Sequence, residues 1–334
     1  MERSRLSFQV PITFVVAIAC LAALLASCRG PGENAPADAE RENLRFWITG
    51  AMVDHGFSRE EAAAALERSP AEIAALVGDL DIDLAASAFT ARNVLRVLPY
   101  PGGRHPRIGF LDGAIDPHRD TKASVFLPWP DAGYVVVDLP EALWWRHGDE
   151  NELLYLAHTH IPTRWDRENV VLERIDWRRG PGGVLSSHRR LPNGVEFHAT
   201  VTPRADRVEM ELALRNGSAA PIAGLRTQVC VMLKGAPEFA AQSDDNKRIS
   251  GRAVAALSRD GRRVVATVWD RARPWQNPPV PCIHSDPVFP DLAVGETGIV
   301  RGVVLFHESD GSDELSAWLE ALGASTAGAG TVGG

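Results

Sequence analysis

The sequence has no excess of positive charge and no apolar run long enough to cross a membrane. Its 35 lysines and arginines are outnumbered by 43 aspartates and glutamates, and the net charge of −8 argues against a general affinity for nucleic acid. The apolar run at residues 14–26 would form a helix of about 20 Å, whereas the hydrocarbon core of a bilayer is about 30 Å thick. Because hydrophobic residues make up 45% of the chain and charged residues 23%, wholesale disorder is excluded as well.

Sequence motifs that identify several large enzyme classes are also missing. The chain contains no Walker A motif, no G-x-G-x-x-G at a strand–helix junction, no H-E-x-x-H and no G-x-S-x-G. These absences argue against nucleotide hydrolysis, dinucleotide-dependent redox chemistry, zincin proteolysis and α/β-hydrolase esterase activity.

The N-terminus has the layout of an export signal. Two arginines precede the apolar run, which ends at Leu25-Ala26-Ser27-Cys28. This ending resembles the lipobox of bacterial lipoproteins, and the resemblance implies that residues 1–27 are removed and that Cys28 carries a lipid. A plain signal peptide followed by an incidental cysteine is the alternative.

The residues after Cys28 bear on where the protein resides. Arg29 is not the aspartate that retains some lipoproteins at the inner membrane, so the resemblance favours the outer membrane of the cell envelope. Residues 28–42 are rich in glycine, proline, alanine and acidic residues, which predicts a flexible tether.

Few cysteines remain in the mature chain. Of the four cysteines, Cys20 lies in the signal and Cys28 at the lipidation site, which leaves Cys230 and Cys282. An oxidising compartment permits these two to form a disulfide, but they can equally be two buried thiols, because sequence spacing does not fix their distance.

Residues 43–93 form a predicted helical segment. Ser58 with Glu61 and Ser69 with Glu72 are two successive capping boxes, the signature of helix N-termini. The pair resembles a DNA-binding helix-turn-helix, but residues 50–84 carry two arginines against eight acidic residues. A local charge of −6 would be repelled by DNA, so we expect a packing or spacer role and no nucleic-acid partner.

Residues 94–323 predict an antiparallel β-sandwich domain. Apolar residues alternate with polar ones in a period of two, and turn sequences such as Pro192-Asn193-Gly194 separate the runs. The absence of helical crossovers excludes a doubly wound parallel sheet. A closing helix is expected at residues 312–322, followed by a disordered tail at 324–334. The predicted strands are residues 107–111, 124–127, 134–139, 153–161, 170–176, 184–188, 195–202, 208–214, 225–233, 254–257, 264–269 and 298–306.

Part of this region resembles a known family. The run from Leu191-Pro192-Asn193-Gly194 through Val208-Glu209-Met210-Glu211-Leu212 to Cys230 is similar to galactose-mutarotase-like supersandwich domains. The resemblance covers roughly residues 100–308 and implies a concave sheet that binds sugar. That family uses a glutamate base with two histidines, a pattern that the sequence does not match residue for residue.

The candidate catalytic residues lie in two stretches of the sequence that contain histidine. His158 and His160 are two apart in a predicted strand and would therefore share a face, either as an acid–base pair or as two ligands of one metal. His284 and Asp286 alternate with Cys282 in a proline-rich segment that we interpret as irregular. The alternative for each stretch is a structural role, with the polar groups bonded to neighbouring backbone or turns.

Other polar and aromatic residues are candidate substrate-binding residues. Gln242, Asn246 and Lys247 lie in one loop and offer the donors and acceptors that sugar hydroxyls need, although a surface turn explains them equally well. Arg226 is a candidate carboxylate clamp within an apolar strand. Trp269 and Trp275 are the candidate stacking platforms for sugar rings.

These residues lead to three functional hypotheses. The first is an envelope-anchored sandwich that binds or modifies a carbohydrate or another small polar ligand, as an isomerase or lyase of the mutarotase or epimerase kind would, with no cofactor. The second is a hydrolase or metal-binding protein that holds a divalent metal with His158, His160, His284 and Asp286. The third is a non-catalytic envelope protein. The first two require the two histidine stretches to meet at one site.

Overall fold

The computed structural model describes residues 35–86, 94–104, 119–147, 150–158, 161–275, 279–309 and 312–324. The predicted lipidation site Cys28, the candidate residue His160 and the expected strand at residues 107–111 lie outside these residues. The chain divides into two compact units, residues 1–47 and 48–334. The candidate site belongs entirely to the second unit.

The described helices lie mainly near the N-terminus. They are α1 (Ala35–Thr49), which continues into a π-helical turn (Gly50–Asp54), then α2 (Arg59–Ala65), α3 (Pro70–Asp79), the single turn α4 (Arg164–Arg167) and α5 (Ser312–Ala324). None of the helices among the described residues is long and apolar enough to cross a membrane.

Both predicted capping boxes are present. The Ser58 hydroxyl accepts a hydrogen bond from the Glu61 backbone N–H at 3.1 Å, and the Glu61 carboxylate accepts one from the Ser58 N–H at 2.8 Å. Ser69 and Glu72 form the same reciprocal pair at the start of α3. These bonds satisfy backbone donors that have no partner within the helix, which is why each helix begins there.

Helix α1 differs from the expectation. Residues 35–42 belong to the predicted tether of residues 28–42 but form the first part of α1. The stretch contains alanine, glutamate and arginine, which are strong helix formers, and Asp38 in the first turn is favourable at a helix N-terminus.

The strands form two antiparallel sheets. The strands are β1 (Val97–Pro99), β2 (Lys122–Phe126), β3 (Tyr134–His147), β4 (Glu150–Leu156), β5 (Arg178–Arg179), β6 (Leu185–Arg190), β7 (Val195–Pro203), β8 (Arg207–Asn216), β9 (Ala223–Met232), β10 (Lys247–Ser250), β11 (Ala253–Leu257), β12 (Arg263–Trp269), β13 (Ala272–Trp275), β14 (Cys282–Pro287) and β15 (Thr297–Glu308). The first sheet has the order β1-β2-β3-β9-β14-β13, and β4 pairs with the second half of β3. The second sheet has the order β10-β11-β12-β15-β8-β7-β6-β5.

One hydrophobic core joins the two sheets. It contains Val137, Val229 and Ile283 from the first sheet together with Phe197 and Leu212 from the second, all of them buried. Period-two alternation turns these side chains to one face of each strand, and burying that face is the main stabilising contribution. The predicted antiparallel β-sandwich with a small N-terminal helical segment is therefore confirmed.

Three predicted elements are wrong in detail. Residues 170–176 are not a strand, because Val171 is 93% exposed and the segment pairs with no other described strand. The segment that was expected to be irregular, by contrast, contains the regular strand β14, which pairs with β9 despite its flanking prolines. Strand β4 ends at Leu156, so His158 follows the strand and does not lie within it.

The two outer faces of the sandwich carry different features. On the second sheet, α5 packs Leu315 and Leu319 against Ala255 and Ala266. On the first sheet, Ile283 faces the core, so its neighbours Cys282 and His284 must face outward. The polar residues of the candidate site lie on this outer face.

Candidate functional site

A row of alternating basic and acidic side chains crosses the outer face of the first sheet. We call this row the polar chain, and its members in spatial order are Lys122, Asp138, His158, Glu141, His284, Asp286 and Trp275. The row begins on β2, deep in the protein, and ends on β13 at an exposed indole. Groups from five separate segments of the sequence thus form one connected network.

The inner end of the polar chain is fully buried. Lys122 and Asp138 face each other in register on β2 and β3, with Nζ 3.7 Å from Oδ2. The Lys122 ammonium also donates to the Ala157 carbonyl at 2.6 Å, directly before His158. Asp138 Oδ2 lies 3.6 Å from His158 Nε2. Lys122 therefore holds the chain after β4 in place and so positions the His158 imidazole.

Glu141 lies between the two imidazoles. Its Oε1 is 3.0 Å from His158 Nε2, and its Oε2 is 3.6 Å from His284 Nε2. All three side chains are buried, with Glu141 7% exposed and both histidines below 5%. One carboxylate thus joins two buried imidazoles that are 126 positions apart in the sequence, and a catalytic role for these histidines stays a prediction.

The outer end of the polar chain reaches solvent. Asp286 accepts hydrogen bonds from the Val229 backbone N–H at 3.1 Å and from the Trp275 indole N–H at 2.7 Å, and its Oδ1 is 3.1 Å from His284 Nδ1. The Trp275 ring lies against His284, with ring centroids 4.9 Å apart, and the tryptophan is 37% exposed. Asp286 therefore orients His284 and completes the strand ladder that ends next to it.

The surroundings of His284 favour its charged form. Burial lowers the pKa of His284, because an imidazolium loses hydration there. Hydrogen bonds to the side chains of Asp286 and Cys282, together with the negative charges of Asp286 and Glu141, outweigh burial and raise the pKa to about 10. In this structure His284 therefore carries a positive charge near neutral pH.

Two thiols lie beside His284. Cys230 faces His284 in register on the neighbouring strand β9, and Cys282 precedes it by two residues on β14. One side-chain ligand atom from each of the three residues lies within 4.8 Å of the others. Both cysteines are buried and neither forms a disulfide. The metal ligand set expected from the sequence was His158, His160, His284 and Asp286, and it shares only His284 with this group.

Glu141, Asp138 and Lys122 were not predicted as site residues. Asp138 and Glu141 are three positions apart, and in a regular strand that spacing places side chains on opposite faces. The register between β3 and β9 shifts between Asp138 and Ala142, because four steps along β3 match two along β9. This bulge lets both carboxylates contact His158, and a period-two pattern does not reveal it. The proline at position 140 was the sequence signal for an interrupted strand.

Arg226 lies on the same outer face as the polar chain. It is two positions from Gln228 and four from Cys230 on β9, so the three side chains share a face. Its guanidinium is exposed and forms no ion pair with any residue that the structure describes. Trp144, its partner in register, is half-buried and donates to Gln228 at 3.4 Å. Arg226 stays a candidate substrate-binding residue.

The loop candidates have mainly structural contacts. Asn246 donates hydrogen bonds to the backbone carbonyls of Phe239 and Leu257. The Lys247 ammonium donates to the Asp244 carboxylate at 3.1 Å and to the Val280 carbonyl. Gln242 is exposed. No hydrogen bond or ion pair among the described residues joins this loop to the polar chain, so its role in binding stays a prediction.

Trp269 is a core residue and not the stacking platform expected from the sequence. It is 1% exposed and belongs to the core between the sheets, where a sugar ring cannot reach it. Its indole lies on Gly302, the residue directly opposite on β15, and a Cβ at that glycine would be 2.4 Å from the ring. Trp269 is therefore a packing residue, and Trp275 is the exposed indole beside the site.

Comparisons with known proteins give distant structural neighbours. No family model matches the chain, and no curated protein matches it. It is similar to a polysaccharide lyase, with a TM-score of 0.39 and 12% identity over 69% of this chain and 35% of that one. It is also similar to a human-microbiome protein described as a kojibiose phosphorylase, with a TM-score of 0.32 and 8% identity over 57% and 26% of the two chains. The chain thus spans about a third of the lyase, and both neighbours are named as carbohydrate-active enzymes.

Proposed function

We propose that this chain is an exported, lipid-anchored protein that binds an acidic carbohydrate on the outer face of its first sheet. There it moves a proton at a sugar carbon, as an isomerase or a lyase does. The lipid anchor rests on the lipobox-like sequence ending at Cys28. The carbohydrate chemistry rests on the polar chain.

The observation that supports the proposal most is the position of the Glu141 carboxylate between two imidazoles. Its oxygens lie 3.0 Å from His158 Nε2 and 3.6 Å from His284 Nε2. Proton transfer needs a base and an acid within hydrogen-bond reach of each other and of the substrate. Glu141 serves as the base, and His158 accepts or returns the proton from behind it. Asp138 and Lys122 position His158 and do not touch the substrate.

The surface around the outer end of the polar chain is suited to a sugar. The exposed Trp275 indole offers an apolar face for the C–H face of a pyranose ring. Trp144 and Gln228 add a second indole and an amide on the same side of the sheet. An aromatic platform with a few convergent polar groups is the usual composition of a small-molecule site.

The exposed guanidinium of Arg226 favours an acidic sugar as the ligand. An exposed guanidinium without an ion pair among the described residues can hold a carboxylate with two parallel hydrogen bonds. Neutralising that carboxylate also makes the neighbouring carbon-bound proton easier to remove, because charge develops on the carboxylate when the proton leaves. A uronate fits both the arginine and the proton chemistry.

Exchange of a carbon-bound sugar proton with deuterium from the solvent tests the proposal, whatever the product of the reaction is. The protein is incubated in D₂O with uronate oligosaccharides and with their neutral counterparts, and loss of a carbon-bound proton is followed by proton NMR. We expect exchange or elimination with an acidic sugar only. Glu141→Gln should abolish it while binding, measured by calorimetry, persists.

A second pair of variants tests the binding surface. Arg226→Gln should weaken uronate binding by about 10- to 150-fold, the effect of losing a charged hydrogen bond worth about 1.5–3 kcal/mol. Arg301→Gln is the matched control, because Arg301 is also an exposed strand arginine but lies on the second sheet, paired with Glu211. Equal affinity of wild type and Arg226→Gln, or binding of no sugar at all, would exclude the proposal in favour of a non-catalytic envelope role.

A further inference from the structure

Cys230, Cys282 and His284 form a compact group of soft ligands on the outer face of the first sheet. Their ligand atoms lie within 4.8 Å of one another, and all three residues are buried. Two adjacent strands hold the group, with His284 opposite Cys230 and with Cys282 two positions before His284 on the same face. Regular strand pairing therefore fixes the three side chains relative to each other without help from a loop.

We propose that these three residues bind one thiophilic divalent metal ion, with zinc as the expected occupant. Thiolate and imidazole are the ligands that zinc prefers, and two cysteines with one histidine are a ligand set known from zinc sites that keep a fourth position for water. The inference goes beyond the proposed carbohydrate function and does not depend on it. Two purely structural thiols would need no histidine beside them.

The contacts of His284 match those of a metal ligand. Its Nδ1 is 3.1 Å from Asp286 Oδ1, which leaves Nε2 to bind the ion. Histidines that bind metals commonly give their other ring nitrogen to a carboxylate, which fixes the ring orientation. The incoming ion displaces the proton from that nitrogen and the protons from the two thiols.

The fourth coordination position is left to water. Glu141 Oε2 lies 3.6 Å from His284 Nε2, close enough to accept a hydrogen bond from a water bound to the ion. This arrangement distinguishes the group from a purely structural four-cysteine site, which has no open position.

Metal titration of the full chain tests the proposal. The reduced, metal-free protein is titrated with Co²⁺, and then Zn²⁺ is added. We expect one equivalent of cobalt to bind, with thiolate-to-cobalt absorption in the near ultraviolet and the visible bands of tetrahedral cobalt, and zinc should displace it. Octahedral cobalt spectra without thiolate absorption would overturn the proposal.

Variants separate this site from other cysteines. Cys230→Ser and Cys282→Ser should each weaken binding by more than about 100-fold, since loss of an outer-shell partner alone costs about 10- to 100-fold. Asp286→Asn removes only such an outer-shell partner and should weaken metal binding by about 10- to 100-fold. In the unprocessed full chain, the matched control replaces Cys20 and Cys28 by serine and should leave binding unchanged. Unchanged affinity in the Cys230 and Cys282 variants would overturn the assignment.

A measurement on the wild-type chain keeps the test valid if those variants do not fold. Modification of the thiols with a methanethiosulfonate should release one equivalent of zinc, measured with a coloured chelator. Protein isolated from its own compartment should contain zinc by elemental analysis. Recovery of a Cys230–Cys282 disulfide without bound metal would instead show that the pair is oxidised in use and would overturn the proposal.

Discussion

Mild acidification should destabilise this protein through one buried histidine, His55. Its Nδ1 donates to the Gly50 carbonyl, and its Nε2 accepts a hydrogen bond from the Ser124 hydroxyl at 2.7 Å, so the ring is neutral. Burial lowers its pKa, the Gly50 bond opposes this, and the positive charges of Arg96 and Arg104 lower it further, to about 3. His55 thus connects the π-helical turn to the first sheet as a neutral ring.

The size of the effect follows from the two pKa values. In the unfolded chain His55 has its ordinary pKa of 6.5, so between pH 6.5 and 3 the unfolded state binds a proton that the folded state does not. The free energy of unfolding therefore rises with pH in this range; the contribution is complete above about pH 6.5 and is lost as the pH falls toward 3. Each pH unit is worth about 1.4 kcal/mol, so lowering the pH from 7 to 5 costs about 2 kcal/mol.

Urea unfolding at pH 7 and pH 5 measures this loss. The comparison is between wild type and His55→Gln, because glutamine keeps a polar side chain but does not take up a proton. The variant should be less stable at both pH values, since it lacks ring contacts with Phe57, Tyr100 and Tyr134. The free energy of unfolding that the variant loses between pH 7 and 5 should nevertheless be smaller than the wild-type loss by about 2 kcal/mol. Equal losses in the two proteins would refute the reasoning.

Two further predictions concern packing and buried charge. Gly302→Ala should destabilise the protein by about 1–3 kcal/mol in urea unfolding, because the added Cβ would overlap Trp269, whereas Gly78→Ala, in an open helix position, should stabilise it by about 0.5–1 kcal/mol. A stable Gly302→Ala variant would show that the indole can shift. Lys122→Met should cost about 3–5 kcal/mol in the same assay, because it leaves the Asp138 carboxylate buried without its ammonium. A loss below about 1 kcal/mol would mean that Asp138 is neutral or otherwise compensated.

The polar chain would be an energetically costly way to stabilise the fold. Buried ion pairs are often no more stabilising than well-packed apolar residues of the same size, so the sandwich does not need Lys122, Asp138 and Glu141 for its stability. Its hydrophobic core lies on the other face of the sheet and is continuous without them. Polar groups held against this cost are typical of functional sites, which is why both proposals concern this face.

Part of the candidate site was predictable from residue spacing. His284 and Asp286 share a strand face and do contact each other, and His158 meets the same carboxylate as His284. Glu141 was missed because the bulge in β3 breaks the period of two on which the prediction rests. Trp269 was assigned wrongly because an indole on a core face and one on an outer face look alike in a sequence.

The sequence by itself determined the class of fold, the two capped helices and the acidic surface that argues against nucleic acid. These properties depend on neighbours a few residues apart, and alternation, turns and capping boxes record such neighbours directly. Only the tertiary structure decided that Glu141 joins two imidazoles and that two cysteines lie beside one of them. Those contacts connect strands that are distant in the sequence, and they depend on strand order and register, which local patterns do not specify.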